Sequence, residues 1–277
     1  MPEFEDMDAP TLRRALALVR EHTGITMSET KKAMLQTRLR PRMRLLKVNS
    51  YNQYLRRVRE GDGERQLFID AVTTHQTGFF RTPRLWQYVR DVFLPAWADR
   101  HAGRPLRVWS AAAATGEEAC TIAICCEELR SRRPDFRYEI VGTDIGATVL
   151  EQARRGEYRG SSAAAFQASQ PALFERYNAS GSTESFILAA PVRERIGYKL
   201  HNLLEASPWC DTFDLVLLRN MLIYFRPDDI LTVLHRVVPA LREKGLLIVG
   251  ESESLTALDV PLQFVRPQVY QRVSSCL

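Results

Sequence analysis

The chain has 277 residues, of which 45% are hydrophobic and 26% are charged, as in ordinary globular proteins with one large domain or two modest ones. It contains no apolar run of 18 residues, so the sequence predicts no membrane-spanning helix, and its acidic first ten residues do not resemble a signal peptide. Five cysteines without metal-ligand spacing favour reduced thiols, a cytoplasmic location and no metal site.

The positive charge is concentrated near the N-terminus. Residues 30–59 contain ten basic and no acidic residues, and because the whole chain carries +5, the remainder carries −5. A local basic surface favours an acidic partner. Arg38 and Arg42 are four residues apart and share a helix face, and with Arg44 they are the predicted substrate-binding residues. The alternative is a basic helix face that only contacts solvent.

Residues 1–72 are predicted to form a helical domain, because their apolar residues recur at spacings of three and four. In the second predicted helix, Ser28 is the expected N-cap. Pro41 interrupts the same helix, and an interior proline costs about 3 kcal/mol or kinks the helix. We therefore expect a bend or break near Arg40.

From residue 84 onward, apolar strand-like segments alternate with helical patterns. This alternation predicts a mostly parallel α/β sheet with helices on both faces. Residues 186–202 are strand-like but fall outside the alternation, so we predict a small β insertion there. The predicted organisation is thus a helical domain (1–72), a linker (73–83) and an α/β domain (84–277).

Two strand ends indicate a nucleoside-like ligand, because ligands bind at the carboxyl ends of the strands in such a sheet. The first is SAAAATGEEA, residues 110–119, where Gly116 allows the backbone to approach a ligand closely. The second is GTDIG, where Asp144 suits the two hydroxyls of a ribose. The alternatives are a packed turn at the first strand end and a helix cap at the second.

A third strand end and the linker also carry polar side chains. In LLRNMLIYFRP, Arg219 and Asn220 follow a run of four apolar residues, and such side chains are costly to bury without partners. Tyr224 follows four residues after Asn220 and either faces the same cleft or belongs to the core. The linker sequence TTHQTGFFR, residues 73–81, has more polar chemistry than a connection needs, which favours a second role as one wall of a binding site.

These stretches resemble, in order along the chain, the CheR family of chemoreceptor glutamate O-methyltransferases. TTHQTGFFR is similar to the family's TTNxTxFFR, WSAAAATGEEA to WSAASTGEEP, GTDI to SDI or TDI, and LLRNMLIYF to CRNVMIYF, while NLLE recurs. The resemblance runs from about residue 12 to the C-terminus. It implies a small helical domain followed by a Rossmann-like S-adenosylmethionine-dependent methyltransferase domain, with the linker lining the cofactor site.

The resemblance also implies an activity and a set of site residues. The activity is methyl transfer from S-adenosylmethionine to glutamate side chains on the cytoplasmic helices of methyl-accepting chemoreceptors, by a monomer that binds no nucleic acid and does not insert into the membrane. Arg81 and Tyr224 would lie nearest to the transferred methyl group, and Asp144 would accept the ribose hydroxyls. The implied cofactor contacts are His75, Thr77, Arg81, Glu118, Asp144, Asn202, Leu203, Leu218 and Arg219.

Some residues depart from the family pattern. His75 replaces the usual Asn, Ala114 and Ala119 replace the usual Ser and Pro, and Glu251 stands where His is common. These departures leave open which paralogue the chain is.

Two other functions are compatible with the sequence. The first is a cofactor-binding regulatory module without catalysis, which the intact Arg81, Asp144 and Tyr224 disfavour. The second is a methyltransferase for another acidic target such as nucleic acid, which the lack of an aromatic stacking platform in the sequence disfavours.

Overall fold

The structure is a computed structural model that describes residues 4–61 and 63–274. Its N-terminal part is helical, as predicted. The helices there are α1 (Ala9–Thr23), α2 (Lys32–Leu45), α3 (Tyr51–Glu60) and α4 (Glu64–Val72). Their apolar faces meet in one cluster, in which Tyr54 and Phe68 are fully buried.

Helix α2 differs from the expectation in two respects. It runs without a break through Pro41, so the break expected near Arg40 is wrong. Leu39 and Met43, on either side of the proline, are both fully buried, and this packing outweighs the cost of the missing backbone donor. Ser28 precedes a 3-10 turn (Glu29–Lys31) and makes no side-chain capping bond, so it is not the N-cap of α2.

Two of the three arginines predicted to bind substrate have partners inside the protein. Arg42 donates through Nε and Nη2 to the Glu64 carboxylate at 3.1 and 2.7 Å, and the Tyr54 hydroxyl donates to the same carboxylate at 2.9 Å. Arg38 donates to the carbonyl oxygens of Val72 and Thr73 at 3.0 and 2.9 Å. Arg42 therefore neutralises a buried carboxylate, and Arg38 fixes the beginning of the linker. Sequence periodicity could not reveal these partners.

The rest of the described chain forms the predicted α/β layers. Its strands are β1 (Leu106–Ala111), β2 (Tyr138–Asp144), β3 (Glu157–Arg159), β4 (Ser185–Ile187), β5 (Ile196–Leu200), β6 (Phe213–Leu218), β7 (Leu241–Val249), β8 (Leu262–Arg266) and β9 (Val269–Arg272). Within the described ranges the main sheet has the order β5-β2-β1-β6-β7-β9-β8, and its strands run in the same direction except β9, which is antiparallel to both β7 and β8.

Helices cover both faces of this sheet. They are α5 (Pro83–Tyr88), α6 (Leu94–Arg100), α7 (Glu117–Arg130), α8 (Ala147–Arg155), α9 (Ser161–Ser169), α10 (Pro171–Tyr177), α11 (Ala190–Arg193) and α12 (Pro227–Val237). Neighbouring residues of β1 face opposite sides, since Val108 belongs to one buried apolar cluster and Trp109 to the other. The predicted α/β architecture with a helical N-terminal region is confirmed.

The segment predicted as a β insertion divides between two sheets. Its first residues belong to β4, which pairs antiparallel with β3 in a small separate sheet. Ile196–Leu200 instead forms β5, a parallel edge strand of the main sheet beside β2. The extent given to the insertion, 186–202, is therefore corrected: β5 is part of the core fold. Buried and exposed residues alternate in part along β5, because an edge strand is covered by other elements on only some of its sides.

The linker is anchored by aromatic packing. Phe79 stacks on Phe166 of α9 with ring centroids 4.4 Å apart, and Phe80 packs against Trp86 at 6.3 Å. Both phenylalanines are buried, so the linker is held against the α/β layers.

The cysteines differ in their exposure to solvent. Cys120, Cys125 and Cys126 are buried and Cys210 is exposed, all as free thiols, whereas Cys276 lies outside the described residues. Within residues 4–61 and 63–274, no helix combines the length and apolarity needed to cross a membrane.

The Arg42–Glu64 pair leads to a stability prediction. Arg42→Ala should lower the free energy of unfolding by about 3 kcal/mol, because it leaves the Glu64 carboxylate buried without its counter-ion. Arg44→Ala is the matched control on the same helix, where an exposed arginine lying over the Phe4 ring should contribute at most about 1 kcal/mol. Chemical denaturation of both variants measures the difference, and equal losses would contradict the assignment.

Candidate active site

A cavity of about 710 Å³ lies where the helical region, the linker and the carboxyl ends of the parallel strands meet. Most residues proposed from the sequence line it, namely His75, Thr77, Arg81, Glu118, Asp144, Asn202, Leu203, Arg219 and Tyr224. Leu218 does not line it, because its side chain is fully buried in the same apolar cluster as Trp109. The fold thus brings together residues that are up to about 150 positions apart in sequence.

Asp144 organises the two loops beside it. Its carboxylate is 2% exposed and accepts hydrogen bonds from the backbone amides of Ala114 and Gly146 at 2.9 and 2.8 Å. A carboxylate has about four acceptor positions, so these two bonds leave room for ligand hydroxyls. Gly116, in the first of these loops, has φ +96°, and a Cβ there would lie 2.8 Å from the Tyr198 hydroxyl. Glycine is therefore required by both backbone conformation and space.

Arg219 connects the linker to α7. Its guanidinium donates to the Glu118 carboxylate at 3.0 Å and, on the other side, to the Arg81 carbonyl and the Thr82 hydroxyl, both at 2.9 Å. Ser110 donates to the remaining Glu118 oxygen at 2.8 Å. Glu118 and Arg219 thus neutralise each other while they shape one wall of the cavity.

Arg81 and Tyr224 face the cavity with few competing contacts. The Arg81 side chain is exposed, and its recorded hydrogen bond is a long one of 3.4 Å to the Gln76 carbonyl. Tyr224 is partly buried against the helical cluster, and its carbonyl accepts from the Thr26 amide at 2.9 Å. Tyr224 therefore lines the cavity and also packs against the core of the helical region, so each of the two alternatives for it describes part of its surroundings.

Several cavity residues were not proposed as site residues from the sequence. Lys31, in the 3-10 turn before α2, and His201, after β5, both line the cavity. Burial lowers the pKa of His201, which favours its neutral imidazole at neutral pH. The short polar stretch HN at residues 201–202, directly after a strand, was the available signal for His201, whereas Lys31 was only one member of the basic segment.

Glu253 supports the loop after β6. Its buried carboxylate accepts from the Asn220 and Gly250 amides at 3.0 and 2.6 Å. Asn220 lines the cavity with φ +57°, a conformation that needs such support. In the GESES segment, Glu251 is the residue that departs from the family pattern, but it lines a different groove. Glu253 is the residue that supports the loop at the cavity.

The cavity suits a polar, partly charged ligand. Buried nitrogens of two lining residues, His75 Nε2 and Arg219 Nε, have no hydrogen-bond partner among the described residues. His75 Nε2 lies 3.5 Å from Asp144 Oδ1. Unpaired buried donors are costly, so ligand atoms that bond to them would stabilise both ligand and protein. Within the described ranges, no group of His, Cys, Asp or Glu side chains is arranged to hold a metal ion.

Comparison with known proteins agrees with this geometry. The model of the CheR methyltransferase SAM-binding domain matches residues 75–270, and that of the CheR methyltransferase all-alpha domain matches residues 10–73. Chemotaxis protein methyltransferase 2 of Pseudomonas aeruginosa is 33% identical over 97% of this chain and 96% of its own length. The corresponding Salmonella typhimurium protein is 33% identical (89% and 84%), and chemotaxis protein methyltransferase 1 of Vibrio cholerae is 30% identical (88% of each).

The two family models together match almost the whole described chain, in the order helical domain and then cofactor domain. The cavity lies where these two parts meet, and its donors and carboxylates fit S-adenosylmethionine as the cofactor. The chain belongs to the CheR family of S-adenosylmethionine-dependent chemotaxis protein methyltransferases.

Proposed function

We propose that the protein methylates glutamate side chains on the cytoplasmic helices of methyl-accepting chemoreceptors. The observation that carries the proposal is the charge of the cavity. Lys31 and Arg81 line it from opposite sides of the domain junction, and within the described residues neither is paired with a carboxylate. Two unpaired cations beside the cofactor cavity favour an anionic methyl acceptor, such as a glutamate carboxylate.

The proposed cofactor contacts follow the lining of the cavity. Asp144 accepts the ribose hydroxyls, and His75, directly beside it, bonds to the same end of the cofactor. Asn202 and Leu203 contact the nucleoside from the strand end that neighbours Asp144. The remaining members of this set are Thr77, Arg81, Glu118 and Arg219. Leu218 supports the wall from within the core and does not contact the cofactor through its side chain.

The reaction needs positioning more than acid–base catalysis. When bound, S-adenosylmethionine supplies an electrophilic methyl group, and a glutamate carboxylate is already ionised at neutral pH, with an ordinary pKa of about 4.3. No general base is therefore required. Arg81 orients the acceptor carboxylate through its exposed guanidinium, and the Tyr224 hydroxyl fixes the attacking oxygen. Such alignment supplies up to about 7–11 kcal/mol of barrier lowering.

The receptor-binding surface is proposed to begin at the mouth of the cavity. Lys31 ends the 3-10 turn directly before α2 and lines the cavity, and Arg38 follows on α2 itself. Arg38 bonds to neutral carbonyl groups and keeps its charge, whereas the charge of Arg42 is neutralised by Glu64. Arg44 is exposed but lies on another side of the helix. Lys31 and Arg38 therefore contribute the main attraction, and Arg44 a weaker one.

The activity is tested by incubating the protein with radiolabelled S-adenosylmethionine and receptor-containing membranes. We expect label in the receptor that mild base releases as methanol, because carboxyl methyl esters are base-labile. Base-stable label would assign the protein to another acceptor group. Unlabelled receptor, despite measurable cofactor binding, would favour a regulatory module, and label in added RNA would favour a nucleic-acid target.

The cofactor site is tested by Asp144→Ala. The variant should bind S-adenosylhomocysteine about 1.5–3 kcal/mol more weakly, the usual contribution of hydrogen bonds to a charged group. Asp214→Ala is the control, since Asp214 is a buried carboxylate that pairs with Arg104 and Arg242 away from the cavity. Calorimetry is carried out below the unfolding temperature of both variants. Unchanged affinity in folded Asp144→Ala would remove Asp144 from the site.

The positioning roles are tested by Arg81→Ala and Tyr224→Phe. Both should lower the turnover number more than they weaken S-adenosylhomocysteine binding, because they position the methyl acceptor; Arg81→Ala should also weaken binding, since Arg81 belongs to the proposed cofactor contacts. Arg84→Ala is the matched control, an exposed arginine nearby that lines a separate groove. Steady-state kinetics and calorimetry separate the two effects. Wild-type turnover in Tyr224→Phe would make Tyr224 a packing residue.

The receptor surface is tested by charge reversal. Lys31→Glu should raise the KM for receptor about threefold to tenfold at low salt, flatten the salt dependence of the rate, and exceed the effect of Arg44→Glu. Arg132→Glu makes the same change in net charge at an exposed residue between the end of α7 and the amino end of β2, away from the carboxyl strand ends at the cavity, and should leave the KM unchanged. Equal KM values for Lys31→Glu and Arg132→Glu would place receptor recognition elsewhere.

A further inference from the structure

Helix α4 of the N-terminal region contacts the beginning of α8 in the cofactor domain. The Asp70 carboxylate accepts hydrogen bonds from the Ala147 and Thr148 amides at 2.9 and 3.1 Å, and from the Thr148 hydroxyl at 2.5 Å. One turn earlier on α4, Gln66 donates to the Ile145 carbonyl at 2.8 Å and to Asp70 itself at 2.9 Å. Except for the bond between Gln66 and Asp70, these bonds join residues separated by more than 70 positions in sequence.

Asp70 therefore caps a helix of the other domain. The first amides of a helix have no partner within it, and the residue before the helix usually supplies one. Before α8 this residue is Gly146, which has no side chain. Asp144, the alternative cap suggested by the sequence, bonds to the Gly146 amide and not to those of Ala147 and Thr148. The cap for these two amides comes from α4.

The capped segment is the one that carries Asp144. Between Asp144 and Thr148, the backbone passes from β2 into α8. In this turn the Gly146 amide donates to Asp144, and the other bonded backbone groups pair with Gln66 and Asp70 of α4. Ile145, in the middle of this turn, lines the cavity. A carboxylate on a fixed turn meets the ribose hydroxyls without a further loss of conformational freedom. A flexible turn would lose conformational freedom each time the cofactor binds, and this loss would weaken binding.

We propose that Asp70 is a positioning residue for S-adenosylmethionine. It acts through the turn that carries Asp144, so the helical domain takes part in forming the cofactor site as well as in binding substrate. The inference rests on the proposed role of Asp144 in the cofactor site. It links the two domains energetically: docking of α4 favours cofactor binding, and bound cofactor favours docking of α4 to the same extent.

The test compares Asp70→Ala with Asp8→Ala. Asp8 caps α1 through the Thr11 amide at 2.8 Å, so both variants remove one capping carboxylate from the helical region, but only Asp70 contacts the turn. Asp70→Ala should raise the Kd for S-adenosylhomocysteine and the KM for S-adenosylmethionine about fivefold, as expected for the loss of a helix cap. Its turnover at saturating cofactor should change much less, and Asp8→Ala should bind like the wild type.

Three further measurements make the outcome decisive. In an Asp144→Ala background, Asp70→Ala should have little additional effect on the Kd, because Asp70 acts through Asp144. Thr148→Val, which keeps the side-chain shape, should show a smaller rise in Kd and serves if Asp70→Ala does not fold. If Asp144→Ala weakens binding and neither Asp70→Ala nor Thr148→Val does, the positioning role is refuted. If Asp144→Ala itself leaves the affinity unchanged, the proposed cofactor site fails instead.

Discussion

The site depends on the ion pair and the hydrogen bonds made by the buried Arg219 guanidinium. It joins the end of β6, the first turn of α7 through Glu118, and the linker through the Arg81 carbonyl and the Thr82 hydroxyl. A buried guanidinium charge is costly without a counter-ion and hydrogen-bond acceptors, so the contacts to Glu118, Arg81 and Thr82 stabilise the arrangement of these segments. The Arg81 side chain is placed at the cavity by the same bonds, because Arg219 holds its backbone.

The remainder of the site consists of turns supported by distant carboxylates. Asp144 holds the loop after β1, Glu253 holds the loop after β6, and Asp70 holds the turn before α8. Each carboxylate accepts backbone amides that would otherwise be unsatisfied. The turns beside the proposed cofactor site are thus held by hydrogen bonds, and Lys31 and Arg81, two cations without a carboxylate partner among the described residues, line the cavity where the acceptor is proposed to enter. Methyl transfer to a carboxylate requires this kind of alignment and no proton transfer.

The architecture could be predicted from the sequence, and most of the site residues proposed from the sequence line the cavity. Apolar periodicity identified the strands and helices, and the rule that ligands bind at strand ends led to Asp144 and Arg219. Residue partners could not be predicted, because periodicity carries no information about contacts distant in sequence. Arg42 pairs with Glu64, packing on both sides of Pro41 preserves α2, and β5 joins the main sheet at its edge. For the same reason the role of Glu253 was missed.

The most direct test of the account is a crystal structure of the protein with S-adenosylhomocysteine. The account predicts the ligand in the cavity between the helical region and the strand ends, with both ribose hydroxyls within hydrogen-bond distance of the Asp144 carboxylate. The sulfur atom, which marks the position of the departed methyl group, should face Arg81 and Tyr224. A ligand bound outside this cavity, or one whose sulfur faces away from both side chains, would contradict it.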